Sequence, residues 1–207
     1  MTMIMTPPKT TTAGQINKAV ASYRALLKKH SGDFFAEAVQ AVLGQTELAD
    51  EQFYVFRHRV EAVSNPIVRK VPVDRSRSPQ EALVATNRAQ YTNREVVDAM
   101  PKGEGDEAEV TFFKPDLSER NGDISDDDLE KEFELRGLKP ADPIAIAAVN
   151  EADSAFADEK PNATHWKDAE GNWCHLAFRR SPSGREVDVA HGDGGWDNDW
   201  WFAGVSK

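Results

Sequence analysis

The chain carries one cysteine, Cys174, among 207 residues. An internal disulfide is therefore excluded, and a lone thiol fits a reducing compartment; a cytoplasmic location is the simplest expectation. Long apolar runs are missing as well. None approaches the roughly 20 residues that a membrane-spanning helix needs, so no membrane partner is expected. Residues 1–12 lack the apolar core of a signal peptide; rich in Thr and Pro, they are expected to form a disordered tail. Positive charge is also in deficit: Lys and Arg number 25 against 35 Asp and Glu, a formal net charge of −10. Binding nucleic acid through its phosphates needs a concentrated basic surface. Only a short patch of Arg69, Lys70, Arg75 and Arg77 is present, so direct nucleic-acid contact is not expected.

What is present is uneven. From Asp98 to Lys160 there are 19 acidic and 7 basic residues, a balance of −12, so the acidity belongs to the middle of the chain. An acidic surface serves solubility. Spaced along one exposed face it would instead imitate nucleic acid, which makes an inhibitor of a nucleic-acid-binding protein one alternative function. The hydrophobic share of 40% supports a folded, soluble chain rather than a disordered one.

Periodicity divides the chain into a helical segment, 13–64, and an α+β domain, 65–207. Ile16, Val20, Tyr23 and Leu27 recur at helical spacing. A second helix is predicted over 33–43 and a third over 47–63, with Phe53, Phe56 and Val60 on one face and Asn65-Pro66 as its stop. Three such helices suggest a small bundle or a docking arm. Ile67 to Val73 reads as a strand that Pro72 confines to an edge or a bulge. Ser78-Pro79-Gln80-Glu81 has the cap, the N1 proline and the N3 glutamate of a capping box, and Asn93 caps another short helix. Glu107 to Lys114 is a strand, and Leu117 to Asp123 a loop. Ser125 caps a helix whose first turn, Asp126, Asp127 and Asp128, complements the helix dipole. Ile124 and Leu129 are spaced as a hydrophobic staple. The helix begun by Asp142-Pro143 is apolar on most sides and is expected to be buried.

All five tryptophans, Trp166, Trp173, Trp196, Trp200 and Trp201, lie in the last 42 residues. Turn formers at 168–172, 181–184 and 192–195 separate short alternating runs there, the pattern of an antiparallel β-meander. In its second strand Trp173, His175 and Ala177 face one way, and Cys174, Leu176 and Phe178 the other. The adjacent Trp200 and Trp201 face opposite sides of the last strand. One serves a core; the other needs cover from another layer, a partner or a ligand. Arg179 and Arg185 are candidates for its rim, through polar or cation–π contacts. The strand itself should not be an exposed edge. Asn162-Ala163-Thr164 matches a glycosylation sequon and is expected to be a turn.

Catalytic and metal-ligating patterns are weak. Asp193, Asp197, Asn198 and Asp199 lack the spacing of a calcium loop. Cys174 and His175 are neighbours on a strand and point to opposite faces, so a zinc site closed by them is not expected. A Cys–His nucleophilic pair meets the same difficulty unless His165 or His191 reaches across strands, and Cys174 is expected to be a buried apolar residue. The glycine pairs match no phosphate loop. No cofactor, no metal and no catalytic residue is assigned.

The pattern Trp166-x-Asp168-x-x-Gly171, Gly184-Arg185-Glu186, Trp196 and Trp201-Phe202-Ala203-Gly204-Val205 resembles that of a widespread set of uncharacterised bacterial and mobile-element proteins. With Val73-Asp74-Arg75-Ser76-Arg77-Ser78 the resemblance covers about residues 65–207. It implies a recurring fold and association with a mobile element, and it carries no catalytic residue, cofactor or partner.

The expected fold class is thus α+β: N-terminal helices, a central mixed part and a C-terminal antiparallel meander. The expected function is a non-enzymatic binding module that uses its aromatic sheet, with Trp166, Trp173, Trp196, Trp200, Trp201, Arg179 and Arg185 as binding residues. Its partner would be a protein or a second copy of the chain, as in a homodimer, or else a small ligand. A hydrolase-like enzyme with Asp193, Asp197, Asp199 and the meander histidines is the other alternative.

Overall fold

The computed structural model describes residues 11–63, 66–117, 120–192 and 194–207. The predicted tail therefore falls mostly outside the described residues, as do Asn65 and Asp193. The chain divides into two units, Met1–Val55 and Phe56–Lys207.

In the first unit α1 (Ala13–Lys29) begins at a capping box the sequence reading had not singled out: Gln15 N–H donates to Thr12 Oγ1, and Thr12 N–H to Gln15 Oε1. A 3-10 turn at Ser31–Asp33 takes up the predicted start of the second helix. There His30 Nδ1 lies 2.8 Å from Asp33 Oδ2, and α2 (Ala36–Leu43) starts three residues later than expected. The unit boundary falls within α3 (Leu48–Val63). No described residue of 11–55 is buried, and Ile16, Val20, Tyr23 and Leu27 are each about half exposed.

The second unit is a mixed sheet with cover on both faces. Its strands are β1 (Ile67–Pro72), β2 (Ala89–Thr92), β3 (Glu107–Phe113), β4 (Asp123–Ile124), β5 (Leu138–Pro140), β6 (Asn162–Lys167), β7 (Trp173–Ser181), β8 (Gly184–His191), β9 (Trp196–Asp197) and β10 (Trp201–Ser206). The order is β1-β3-β10-β6-β7-β8-β2, with β5 also on β10, while β4 and β9 form a separate pair. Five helices join them: α4 (Pro79–Ala85), α5 (Arg94–Asp98), α6 (Asp126–Leu135), α7 (Pro143–Ala152) and α8 (Phe156–Glu159). The class is α+β, with most of the strands toward the C-terminus. No helix among the described residues is long and apolar enough to cross a membrane.

Local chemistry sets the helix starts. Ser78 and Glu81 form the predicted capping box, and Asn93, Ser125 and Asp142 each accept from a first-turn N–H. Strand alternation then sorts side chains into two cores. Phe112, Cys174, Leu176, Phe178, Val187 and Ala203 pack under α4, α5, α7 and α8. Phe113, Ala177 and Phe202 face the other way, against Leu129 and Phe133 of α6 and Trp196 of β9. The buried helix predicted after Asp142-Pro143 is α7, with seven of its residues buried.

Two expectations change. The meander is antiparallel through β6, β7 and β8, but its last strand does not continue beside β8. Instead β10 returns to the middle of the sheet, parallel to β6 and antiparallel to β3, and β2 pairs parallel with β8. Its apolar Trp-Phe-Ala-Gly-Val run suits a central position, where both edges are paired. Next, Asn162-Ala163-Thr164 is not a turn but the first half of β6, and Asn162 is fully buried. Its Oδ1 accepts from Asn150 Nδ2 of α7 at 2.9 Å, a use that closes the sequon to glycosylation in the folded chain. Trp200 and Trp201 go to opposite cores as expected, and of the covers considered for them it is the layers of the chain itself that pack on both.

At Gly204 an added Cβ would lie 3.1 Å from Leu138 Cβ, Leu138 Cδ1 and Phe133 Cε1. These atoms belong to the packed core and to the β5–β10 pair, so they have little room to withdraw. Gly204→Ala is expected to cost about 1–3 kcal/mol of stability by overpacking, read as a lower urea midpoint with an unchanged slope.

Candidate functional site

The staple predicted from Ile124 and Leu129 decides where the site lies. Both side chains are buried in the core beneath α6, which turns the first-turn Asp126 inward rather than to solvent. Asp126 stays in the first turn, where it complements the helix dipole as expected, but its carboxylate is 7% exposed and needs further partners. Two come from distant strands. His165 Nδ1 of β6 lies 2.6 Å from Asp126 Oδ1, and Trp196 Nε1 of β9 donates to the same oxygen at 2.9 Å. Glu130, one turn further along α6, places Oε1 3.0 Å from His165 Nε2, at ion-pair distance but without hydrogen-bond alignment. Strand register places Trp173 two residues from the partner of His165, and its indole stacks on the imidazole at 4.5 Å and 10°.

Charge follows from this geometry. Burial opposes protonation of His165, but the hydrogen bond to Asp126 and the negative charges of Asp126 and Glu130 outweigh it, so the imidazole pKa is raised. Burial also opposes ionisation of Asp126. The bonds from His165 and Trp196 prevail there, and the carboxyl pKa is lowered. The centre thus sets an imidazole, its charged form favoured by its partners, between two carboxylates and under an indole.

Around its outer side runs a groove of about 990 Å³. His165, Trp166, Trp173, Glu130, Asp127 and Lys167 form one wall; Glu104, Glu107, Glu109, Lys139, Arg75 and Asp142 stand among the others. Lys167 Nζ lies 4.4 Å over the Trp173 ring, whose Nε1 donates to Asp127 at 3.3 Å. Arg75 is held in place: its guanidinium forks onto Asp142 at 2.6 and 3.0 Å and also donates to the Gly105 and Lys102 carbonyls. The Trp166 indole N–H is buried and has no acceptor among the described residues.

The residues singled out from sequence separate into different roles. Trp173 and Trp166 line the groove. Trp196 is buried, with edge contacts to Trp200, Phe202 and His175. Trp200 packs on the core beneath α6, and Trp201 on the opposite core with Lys160 Nζ 6.0 Å above its ring. Arg179 and Arg185 bind carboxylates rather than tryptophans, Glu186 at 3.1 Å and Asp158 at 2.8 Å. Asp197 and Asp199 are exposed and do not meet the histidines. His165, His175 and His191 each face a different carboxylate: Asp126, Asp188 and Asp168. Asp126 and Glu130 escaped the sequence reading, although a signal was there. At 126, 129, 130 and 133 they share the helical stripe of Leu129 and Phe133, the face that had to be buried.

Comparison with protein-family models, with characterised proteins and with solved structures gives no match.

The pKa directions make stability depend on pH. A raised His165 pKa contributes stability that is complete below its ordinary value, about 6.5, and is lost as pH rises through the folded value. The lowered Asp126 pKa contributes above the ordinary carboxylate value and is lost as pH falls through the folded one. Unfolding free energy should therefore decline with pH above about 6.5, and His165→Gln should flatten that decline. Removing either buried partner should also cost about 3–5 kcal/mol. Urea titrations from mildly acidic to alkaline pH check both.

Proposed function

We propose that this chain is a non-enzymatic binding module whose groove takes a cationic segment of a partner protein. The observation that carries this reading is the composition of the groove wall. Six carboxylate residues, Glu104, Glu107, Glu109, Asp127, Glu130 and Asp142, line it beside Trp166 and Trp173, against the His165 imidazole and three Lys or Arg residues. Of those three, Arg75 is committed to Asp142, and Lys167 lies over Trp173. A carboxylate-lined cleft steers a basic partner toward the tryptophans, of which Trp173 already holds His165 stacked on its ring and Lys167 Nζ 4.4 Å over it. A volume of about 990 Å³ has room for several side chains of a peptide. In this reading the binding aromatics are Trp173 and Trp166, while Trp196, Trp200 and Trp201 serve packing. Association with a mobile element is part of the proposal only through the resemblance of residues 65–207.

The enzymatic reading draws less support. The His165 side chain is fully buried, with Nε2 facing Glu130. Burial raises the Cys174 pKa, and the Asp168 charge adds to it, which suits a neutral thiol rather than a nucleophile. The nucleic-acid-mimic reading meets a different difficulty. Much of the acidic segment is paired inside the chain: Asp128 with Arg120 and Lys131, Glu132 with Arg136, Glu151 with Arg77, and Asp158 with Arg180 and Arg185.

Titration with a Lys/Arg-rich peptide, followed by tryptophan fluorescence, tests the proposal. A saturable change is expected that weakens with added salt. Trp173→Ala or the pair Glu104→Lys and Glu107→Lys should weaken it by about tenfold, equal to about 1.4 kcal/mol. An equal response to an acidic peptide, or none to either, would overturn it.

A further inference from the structure

We propose that Asp168, Cys174 and His191 form a binding site for one zinc-class transition-metal ion. The site is independent of the peptide groove and arises from strand register. Cys174 and His191 are direct cross-strand partners at the end of the β7–β8 ladder. Directly opposed residues place their side chains on the same face of a sheet, with Cβ atoms about 5 Å apart. The pairing removes the difficulty of adjacent residues on one strand: His175 points away from Cys174, whereas His191 lies beside it. Asp168 follows the last residue of β6, where the turn into β7 brings it to the same place. One ligand atom from each of the three residues lies within 4.8 Å of the others.

The carboxylate is set in advance. Asp168 Oδ1 accepts from the N–H groups of Glu170 and Asn172 at 2.9 and 2.8 Å, and Oδ2 from Asn172 Nδ2 at 3.1 Å. His191 Nε2 stands 3.3 Å from Oδ2. The thiol is less than 4 Å from the Asn172 carbonyl and is otherwise buried. Supporting bonds of this kind, which orient a ligand before the metal arrives, recur around metal sites.

The donor set selects the ion. One sulfur, one imidazole nitrogen and one carboxylate oxygen suit Zn²⁺; Ca²⁺ and Mg²⁺ require oxygen-rich shells. Zinc bonds of about 2.0–2.3 Å place tetrahedral ligand atoms roughly 3.5 Å apart; His191 Nε2 and Asp168 Oδ2 already stand 3.3 Å apart, and the widest separation, at most 4.8 Å, must close by about 1 Å. Exposed His191 supplies that freedom by side-chain rotation. Binding converts the Cys174 thiol to a thiolate, with its S–H proton released to solvent as the Zn–S bond forms. Three protein ligands leave the fourth position for water.

Calorimetric titration of the metal-stripped protein with ZnCl₂, in two buffers of different ionisation enthalpy, tests this. One ion per chain is expected, with proton release. Co²⁺ in its place should give a thiolate-to-cobalt charge-transfer band. Cys174→Ser should abolish the band, and His191→Ala, at an exposed position, should weaken zinc binding at least about tenfold while far-UV circular dichroism stays unchanged. If Cys174→Ser fails to fold, His191→Ala decides. Absence of saturable binding, or binding that survives His191→Ala at full strength, would overturn the proposal and leave the Asp168–His191 contact as a hairpin clamp.

Discussion

A carboxylate placed inside a protein must be answered, and the answer to Asp126 organises the second unit. Its desolvation costs several kcal/mol unless hydrogen bonds and opposite charge offset it. The two groups that do so come from β6 and β9, about 40 and 70 residues further along the chain. One oxygen thereby ties three elements together: the helix α6, the sheet through His165, and the β4–β9 pair through Trp196. The surrounding packing agrees with this tie. Phe133 lies 5.6 Å from His165, and Trp196 meets Phe202 and Trp200 edge-on at about 5.3–5.4 Å. The aromatic richness of the C-terminal segment thus has three uses: Trp173 and Trp196 close over the buried ionic centre, Trp200 and Trp201 pack on the two cores, and Trp166 with Trp173 flanks the groove.

Arg136 shows the same logic on a smaller scale. Its guanidinium is 6% exposed, pairs with Glu132 at 2.6 Å and lies 4.2 Å over the Phe113 ring. The acidic segment is therefore not simply a solvated surface. Part of its charge builds the layer over the sheet, and part lines the groove. The first unit stands in contrast, since its described helices bury none of their side chains.

Local signals in the sequence were reliable where a single residue has one physical job. Ser78, Asn93, Ser125 and Asp142 cap the helices they were expected to cap, Pro72 lies on an edge strand, and Pro182-Ser183 turns one hairpin. The alternation of Trp173, His175 and Ala177 against Cys174, Leu176 and Phe178 matches the two cores. What could not be read was non-local. Nothing in residues 201–206 states that they pair parallel to β6 rather than beside β8, because a central strand is recognised by its apolar character and not by its neighbours' identity. Asn162 looked like turn chemistry because its buried partner, Asn150, lies on another element. The candidate centre was half legible. His165 was noticed as a possible metal ligand or base but not as the partner of a buried carboxylate, and Asp126 was hidden in a run of three aspartates.

The central claim is that His165 is a charged imidazolium locked between Asp126 and Glu130. Two-dimensional NMR of the histidine ring nitrogens reports this directly. At neutral pH the account predicts that both His165 nitrogens carry protons, and that the ring titrates above the ordinary histidine value. A neutral ring at that pH, with one bare nitrogen, would contradict it.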